Sequence, residues 1–200
     1  VITLAERDGK LVEVDRVKNL GVNEEIKSVR WFDDLAIVVT FRQIDPLYAV
    51  RVGEQGKLTL LGELKIPGFS SYLHPIGYDQ LLGLGINATN RGAPRGAQAA
   101  TFDLSDLSKP RQIDTVSFGR RYDLSATSQP REFLWLDEGR TAITTLSTWD
   151  RDRSKREVTA LTIADDGSIT EKRIDVATSD TPAWTPAPLR VVQSASGNVA

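Results

Sequence analysis

The stretch VRWFDDLAIVVTF at 29–41 decides the fold, because a short turn divides it and its second half is almost wholly apolar. Leu35–Phe41 is rich in β-branched residues, which predicts a strand buried on both faces. The next stretch, LYAVRVGEQGKLTLLGEL at 47–64, contains two further strand patterns, and Gly62 predicts a bulge or kink in the second. Residues 29–64 therefore predict four consecutive strands.

This four-strand pattern recurs along the chain. Its first half returns as YLHPIGYDQLLGLG at 72–85 and FLWLDEGRTAITTL at 133–146. Its second half returns as AATFDLSDLSKPRQIDTV at 99–116 and VTALTIADDGSITEKRI at 158–174. A four-stranded unit repeated about every 40–50 residues is typical of a β-propeller blade. We therefore expect an all-β fold, either a β-propeller or a propeller-like arc of four-stranded antiparallel blades.

The repeat predicts one propeller-type domain over residues 1–200, with three whole units and two partial ones. The predicted whole units span about 27–66, 70–118 and 131–175, and the partial units span 1–20 and 189–200. Two arrangements remain open. The partial units complete a four-bladed ring, or the chain is an arc from a longer protein whose further blades and anchor lie elsewhere.

Composition excludes several classes of function. The 25 basic and 27 acidic residues give a net charge of −2, whereas a nucleic-acid-binding surface needs a basic excess. The chain has no cysteine, so it has neither disulfides nor thiolate chemistry. No apolar run approaches the roughly 18 residues that predict a transmembrane helix. We expect no nucleic-acid partner, no cofactor and no membrane span in this chain.

Two long segments carry a family resemblance: SVRWFDDLAIVVTFRQIDPLYAVRV at 28–52 and LGELKIPGFSSYLHPIGYDQLLGLG at 61–85. They resemble the secreted β-propeller-domain proteins of bacteria and archaea, which are distant relatives of WD-type propellers. FDLSDLSKP at 102–110 is similar to a recurring turn of that family, which has Asp where Lys109 stands. The resemblance covers about 27–149. It implies a propeller fold and an extracytoplasmic, secreted or cell-surface location, and it supplies no catalytic residues.

Few residues suggest chemistry. His74 is the only histidine, and a Ser-His-Asp triad would have to use it with Ser70 or Ser71, but no G-x-S-x-G elbow is present. We predict a structural role for His74 and no metal site. Arg42 and Asp45 flank the end of the most apolar strand, where Asp45 precedes a proline as in many turns. They form a structural ion pair, or Arg42 binds an anionic ligand.

Three polar segments remain. The loop at 88–98 contains Arg91, Arg95 and several Gly and Pro residues, and it is either a binding insertion or disordered. Asp103 and Asp106 lack the spacing of a calcium loop, and we predict Asx turns there. The charged run at 149–157 predicts an exposed hairpin loop.

The sequence therefore predicts a non-catalytic binding or scaffold module outside the cytoplasm, with a protein or a cell-envelope component as its partner. The candidate ligand- or partner-binding residues are Arg42, Asp45, His74, Arg91 and Arg95, and none is predicted to be catalytic or to bind metal. The alternative is a propeller hydrolase or lyase with its site at the channel mouth. Convergence of Arg42, Asp45 and His74 on one channel would favour that alternative.

Overall fold

The computed structural model describes residues 1–41, 45–66, 68–89, 91, 93–150, 153–175 and 192. These residues form antiparallel β-structure with short 3-10 turns at Glu54–Gly56, Ser125–Thr127 and Pro130–Glu132. The chain begins with a hairpin of β1 (Ile2–Arg7) and β2 (Lys10–Arg16), whose turn at Asp8 and Gly9 has positive φ at both residues, as in a type I′ turn. Within the described ranges, no helix is long and apolar enough to cross a membrane.

Three larger sheets follow the hairpin. Sheet 1 contains β3 (Glu25–Phe32), β4 (Leu35–Phe41), β5 (Asp45–Val52) and β6 (Leu58–Ile66). Sheet 2 contains β7 (Phe69–Ile76), β8 (Gln80–Ala88), β9 (Pro94–Asp103) and β10 (Arg111–Gly119). In both sheets every strand pairs with its neighbour in sequence, as in a propeller blade. The predicted all-β, four-stranded architecture is confirmed, and the described sheets do not close into a ring.

Sheet 3 differs from the others because its first strand is interrupted. It contains β11 (Tyr122–Leu124), β12 (Phe133–Leu136), β13 (Thr141–Asp150), β14 (Arg153–Ile163) and β15 (Ile169–Asp175). Both β11 and β12 pair with β13, at Leu146–Thr148 and Thr141–Thr144 respectively. Residues 125–132 leave the sheet between them, and Ala126 from this excursion is fully buried in the core. The sheet therefore begins upstream of the predicted bound at 131.

In sheets 1 and 2 the central strands are apolar on both faces because each of these two sheets packs between two neighbours. In β4, Leu35 and Ile37 lie in a core shared with sheet 2, whereas Ala36 and Val38 pack toward the N-terminal hairpin. Sheet 2 repeats this alternation: Leu81 faces sheet 1 and its neighbour Leu82 faces sheet 3. Successive side chains of a strand point to opposite faces, so residue parity decides which neighbouring sheet a side chain stabilises.

Sheets 1 and 2 approach most closely at Gly62. The pairing of β5 with β6 shifts beside this glycine, so the predicted bulge is confirmed. A Cβ atom at Gly62 would lie 2.2 Å from the carbonyl oxygen of Leu107. Leu107 belongs to a turn in which Asp103 accepts a hydrogen bond from the Ser105 amide and Asp106 accepts one from the Ser108 amide, and these contacts confirm the predicted Asx turns. The turn between β9 and β10 therefore packs against sheet 1 at Gly62, where the absence of a side chain leaves room for it.

The turn of sheet 3 at residues 164–168 docks on sheet 2. The buried hydroxyl of Thr101 donates a 2.6 Å hydrogen bond to the Gly167 carbonyl oxygen. The Asp114 carboxylate accepts a 2.8 Å hydrogen bond from the Ile169 amide. Each contact joins a side chain of sheet 2 to a backbone group of sheet 3. Because hydrogen bonds need a defined geometry, the two contacts fix the position of one sheet along the other.

The two ends of the sheets have different connections. The last residues of β4, β8 and β13 lie at one end, together with the first residues of β5, β9 and β14, and we call this the loop end. The turns at 33–34, 77–79 and 137–140 lie at the other, which we call the turn end. The loop ends of sheets 1 and 2 lie side by side, because Phe41 at the end of β4 contacts Phe69 at the start of β7, with ring centroids 4.5 Å apart. The charged run predicted to be a loop instead extends β13 and β14, whose pairing continues to Asp150 and Arg153.

Candidate functional site

His74 lies in an aromatic cluster between the first strands of sheets 2 and 3. Its ring centroid is 4.8 Å from that of Phe133 and 5.0 Å from that of Trp135. Tyr72, two residues earlier on β7, contacts Phe133 at 4.7 Å. Trp135 thus packs between two sheets, whereas Trp31, its counterpart in sheet 1, is 53% exposed.

The surroundings of His74 keep its imidazole neutral. Burial, with a smaller contribution from the nearby positive charge of Arg30, lowers the pKa of His74 from 6.5 to about 4. Its Nδ1 atom is buried without a hydrogen-bond partner. The ring is thus a packing element between two sheets, in agreement with its predicted structural role.

The three residues whose convergence would favour an enzyme are not brought together where they are described. Arg42 lies outside the described residues. Asp45 is the first residue of β5, at the loop end of sheet 1, and its backbone pairs with Ile66. His74 is the sixth residue of β7, toward the turn end of sheet 2. The Asp45–Pro46 pair predicted to start a turn instead begins a strand, which a proline at the strand edge permits.

Arg91 and Arg95 do come together. With Asn87, Thr89 and Gln98 they line an open cavity of about 510 Å³ at the loop end of sheet 2. Gln112 and Thr115 of β10 form its opposite wall, and the Gln112 amide donates a hydrogen bond to the Thr115 hydroxyl. We call this cavity the arginine pocket. It is the one place where two of the candidate binding residues share a surface in the described part of the chain.

The loop around Arg91 is held by its own hydrogen bonds. The Thr89 hydroxyl accepts hydrogen bonds from the amides of Arg91, at 3.3 Å, and Ala93, at 3.0 Å. The Thr89 amide in turn donates to the Ala93 carbonyl oxygen at 2.8 Å. These contacts form a compact turn, which positions Arg91 beside the start of β9, where Arg95 lies.

The charge of the arginine pocket is not compensated by its own wall. Among the residues that the structure describes, no Asp or Glu lines the pocket, and neither Arg91 nor Arg95 makes an ion pair. Sequence reasoning identified the two arginines because they stand in an irregular loop, but it missed Gln98 and Gln112, which read as ordinary polar positions of strands. The pocket can therefore bind an anion through guanidinium groups and orient it through amides.

A second hollow, of about 500 Å³, lies at the turn end between sheets 2 and 3, and its lining includes four carboxylates: Asp79, Asp103, Asp165 and Asp166. Hydrogen bonds from Ser105, and then from Arg111, lower the pKa of Asp103 to about 2. Arg140 also spans this interface, donating to Gln80 at 2.7 Å. In the part of the chain that the structure describes, no group of acidic or histidine side chains is placed to hold a metal ion. The hollow is a structural junction.

Comparison with known proteins decides the family. Residues 1–191 match the family model of the beta propeller domain. The chain belongs to the beta propeller domain family. This confirms the propeller fold expected from the repeat and from the resemblance over about residues 27–149.

Two relatives of this beta propeller domain are archaeal proteins. It is 39% identical over 105 residues to an uncharacterized protein of Archaeoglobus fulgidus, covering 52% of this chain and 16% of the relative. It is 33% identical over 133 residues to an uncharacterized protein of Methanocaldococcus jannaschii, covering 64% of this chain and 20% of the relative. The aligned part thus spans a fifth or less of these relatives.

Proposed function

We propose that this beta propeller domain is a non-catalytic, extracytoplasmic binding or scaffold module that contacts a protein or a cell-envelope component through its loop end. The observation that carries the proposal is the arginine pocket, where Arg91 and Arg95 face solvent without a carboxylate in the wall. Exposed loops on a rigid sheet scaffold are the usual place for binding residues. The extracytoplasmic location is inferred from the resemblance to secreted propeller proteins.

Co-sedimentation with cell-envelope fractions of the source organism tests the proposal. The purified domain should pellet with the envelope in low salt, and replacing both Arg91 and Arg95 by alanine should abolish most of that pelleting. The matched control replaces Arg7 and Arg131, which are also exposed and make no ion pair with a described residue, so it changes the net charge equally. Failure of the wild type to pellet, or equal loss in both double variants, would overturn the proposal.

The location is tested separately on the full-length protein in its own cells. An epitope tag on that protein, followed by fractionation and by protease treatment of intact cells, should place the tag with the envelope and make it accessible to the protease. Recovery of the tag only in the cytosol, protected until the cells are lysed, would remove the cell envelope as a partner.

A further inference from the structure

We infer that the arginine pocket binds an acidic sugar, with its carboxylate held by the two arginines and its hydroxyl groups by the surrounding amides. The inference deepens the proposed function and rests on it, because it names the chemical class of the ligand at the same site. It depends on three features of the pocket: its uncompensated charge, one idle buried amide and the mixed polarity of its walls.

The first feature is the pair of guanidinium groups. Each presents a planar set of N–H donors that matches the two oxygens of a carboxylate. Arg91 lies within the turn closed by Thr89 and Ala93, and Arg95 follows this turn at the start of β9. Because no acidic side chain lines the pocket in the described part of the chain, an incoming anion has no ion pair to displace there. This lowers the cost of binding.

The second feature is Gln98. Its side chain is only 4% exposed, yet it lines the pocket and makes no hydrogen bond to any residue that the structure describes. Buried side-chain amides are normally hydrogen-bonded. Gly68 leaves the space that Gln98 occupies, since a Cβ atom at Gly68 would lie 3.0 Å from Gln98 Nε2. No residue that the structure describes uses the donor or the acceptor of the Gln98 amide, so both remain for a ligand.

The third feature is the mixture of donors and acceptors around the arginines. Asn87 and Gln98 present amides, and Gln112 donates to Thr115, so its own carbonyl oxygen remains to accept a hydrogen bond. A phosphate or sulfate ion offers mainly acceptors and would leave those carbonyl oxygens unused, whereas sugar hydroxyl groups both donate and accept. A volume of about 510 Å³ also falls within the usual range of small-molecule sites.

The walls favour a sugar over an acidic peptide. Ala88 is the one apolar residue among those lining the pocket, so the apolar parts of a peptide would find little surface to pack against. Hydroxyl groups, in contrast, find polar partners on three sides: the end of β8, the strand β9 and the strand β10. The pocket is open to solvent, which suits a sugar unit within a longer polysaccharide.

Isothermal titration calorimetry with digalacturonate, at low salt, tests the inference. We expect binding that weakens at least tenfold in Arg91→Ala and in Arg95→Ala, and several-fold in Gln98→Glu, which keeps the side-chain shape but adds a negative charge. The double variant of Arg7 and Arg131 should bind as the wild type does. Thermal melts of every variant identify any that loses its fold, and the two exposed arginine variants keep the test decisive if Gln98→Glu does not fold.

The competing ligands are tested in parallel arms. Neutral digalactose, inorganic phosphate and a glutamate-rich peptide should each bind at least tenfold more weakly than digalacturonate. Equal binding of digalactose, tighter binding of phosphate or of the peptide, or no effect of the arginine variants would overturn the assignment. If envelope pelleting depends on Arg91 and Arg95 but digalacturonate does not bind, the ligand class is wrong while the proposed binding function stands. If neither occurs, both fail.

Discussion

Replacing His74 by phenylalanine should remove the contribution of this imidazole to the pH dependence of stability between about pH 4 and 6.5. In the folded domain the pKa of His74 is about 4, whereas the ordinary value is 6.5. Between these values the unfolded chain binds a proton that the folded domain excludes. Stability is therefore unaffected by this group above pH 6.5, and it falls progressively as the pH is lowered toward 4.

The size of the effect follows from the same two values. Their difference corresponds to at most about 3 kcal/mol, at roughly 1.4 kcal/mol for each tenfold change in proton affinity. Because the imidazole is only partly buried, solvent screening reduces the expected loss between pH 7 and pH 4.5 to about 1–2 kcal/mol. Phenylalanine fits the stacking positions beside Phe133 and Trp135, and it also removes the unpaired buried Nδ1 atom.

Urea unfolding followed by circular dichroism, at half-unit steps from pH 4.5 to pH 7.5, measures the effect. His74 is the only histidine, so the difference between wild type and His74→Phe isolates one imidazole, while the carboxylates titrate alike in both proteins. The difference between the two free energies of unfolding should be constant above about pH 6.5, and it should shift in favour of His74→Phe as the pH falls toward 4.5. Parallel curves over the whole range, or a folded-state pKa near 6.5 from NMR titration, would refute the reasoning.

Two contacts between sheets give further predictions. Gly62→Ala should destabilise the domain by about 1–3 kcal/mol, since its Cβ would lie 2.2 Å from the Leu107 carbonyl oxygen. Gly139→Ala is the control, because the nearest atom there is 3.4 Å away; equal thermal stability of both variants would contradict the close approach. Thr101→Val should cost about 1–3 kcal/mol in urea unfolding, because the buried Gly167 carbonyl oxygen loses its donor. An unchanged midpoint would mean that the bond contributes nothing.

Much of the fold could be predicted because local sequence and tertiary structure agree. The apolar run Leu35–Phe41 can be buried on both faces only between two other layers, which is where β4 lies. The interrupted first strand of sheet 3 could not be predicted, because β11 has three residues and no visible periodicity. The start of β5 at Asp45 could not be predicted either, since a proline at position 46 is compatible with both a turn and a strand edge.

The candidate site was only partly visible in the sequence. Arg91 and Arg95 stand out because they are cations in a loop rich in glycine and proline. Gln98 and Gln112 do not, because each lies in a strand pattern where a polar residue usually faces solvent. Whether these two side chains line the pocket depends on the curvature of β9 and β10 and on their pairing register, which shifts at two places. Such shifts arise from packing against sheets distant in sequence, and a single sequence does not encode them as a local pattern.

Leu81 and Leu82 point into two different cores, and this alternation limits where the chain can gain or lose residues. Adding or deleting one residue within β8 would exchange the two faces beyond that point, and both interfaces of sheet 2 would fail together. The excursion at 125–132 and the connection that carries Arg91 lie outside this constraint, because they contribute no alternating register. Insertions and deletions should therefore accumulate there in related proteins, which would leave the loop end free to acquire new contacts while the sheets stay fixed.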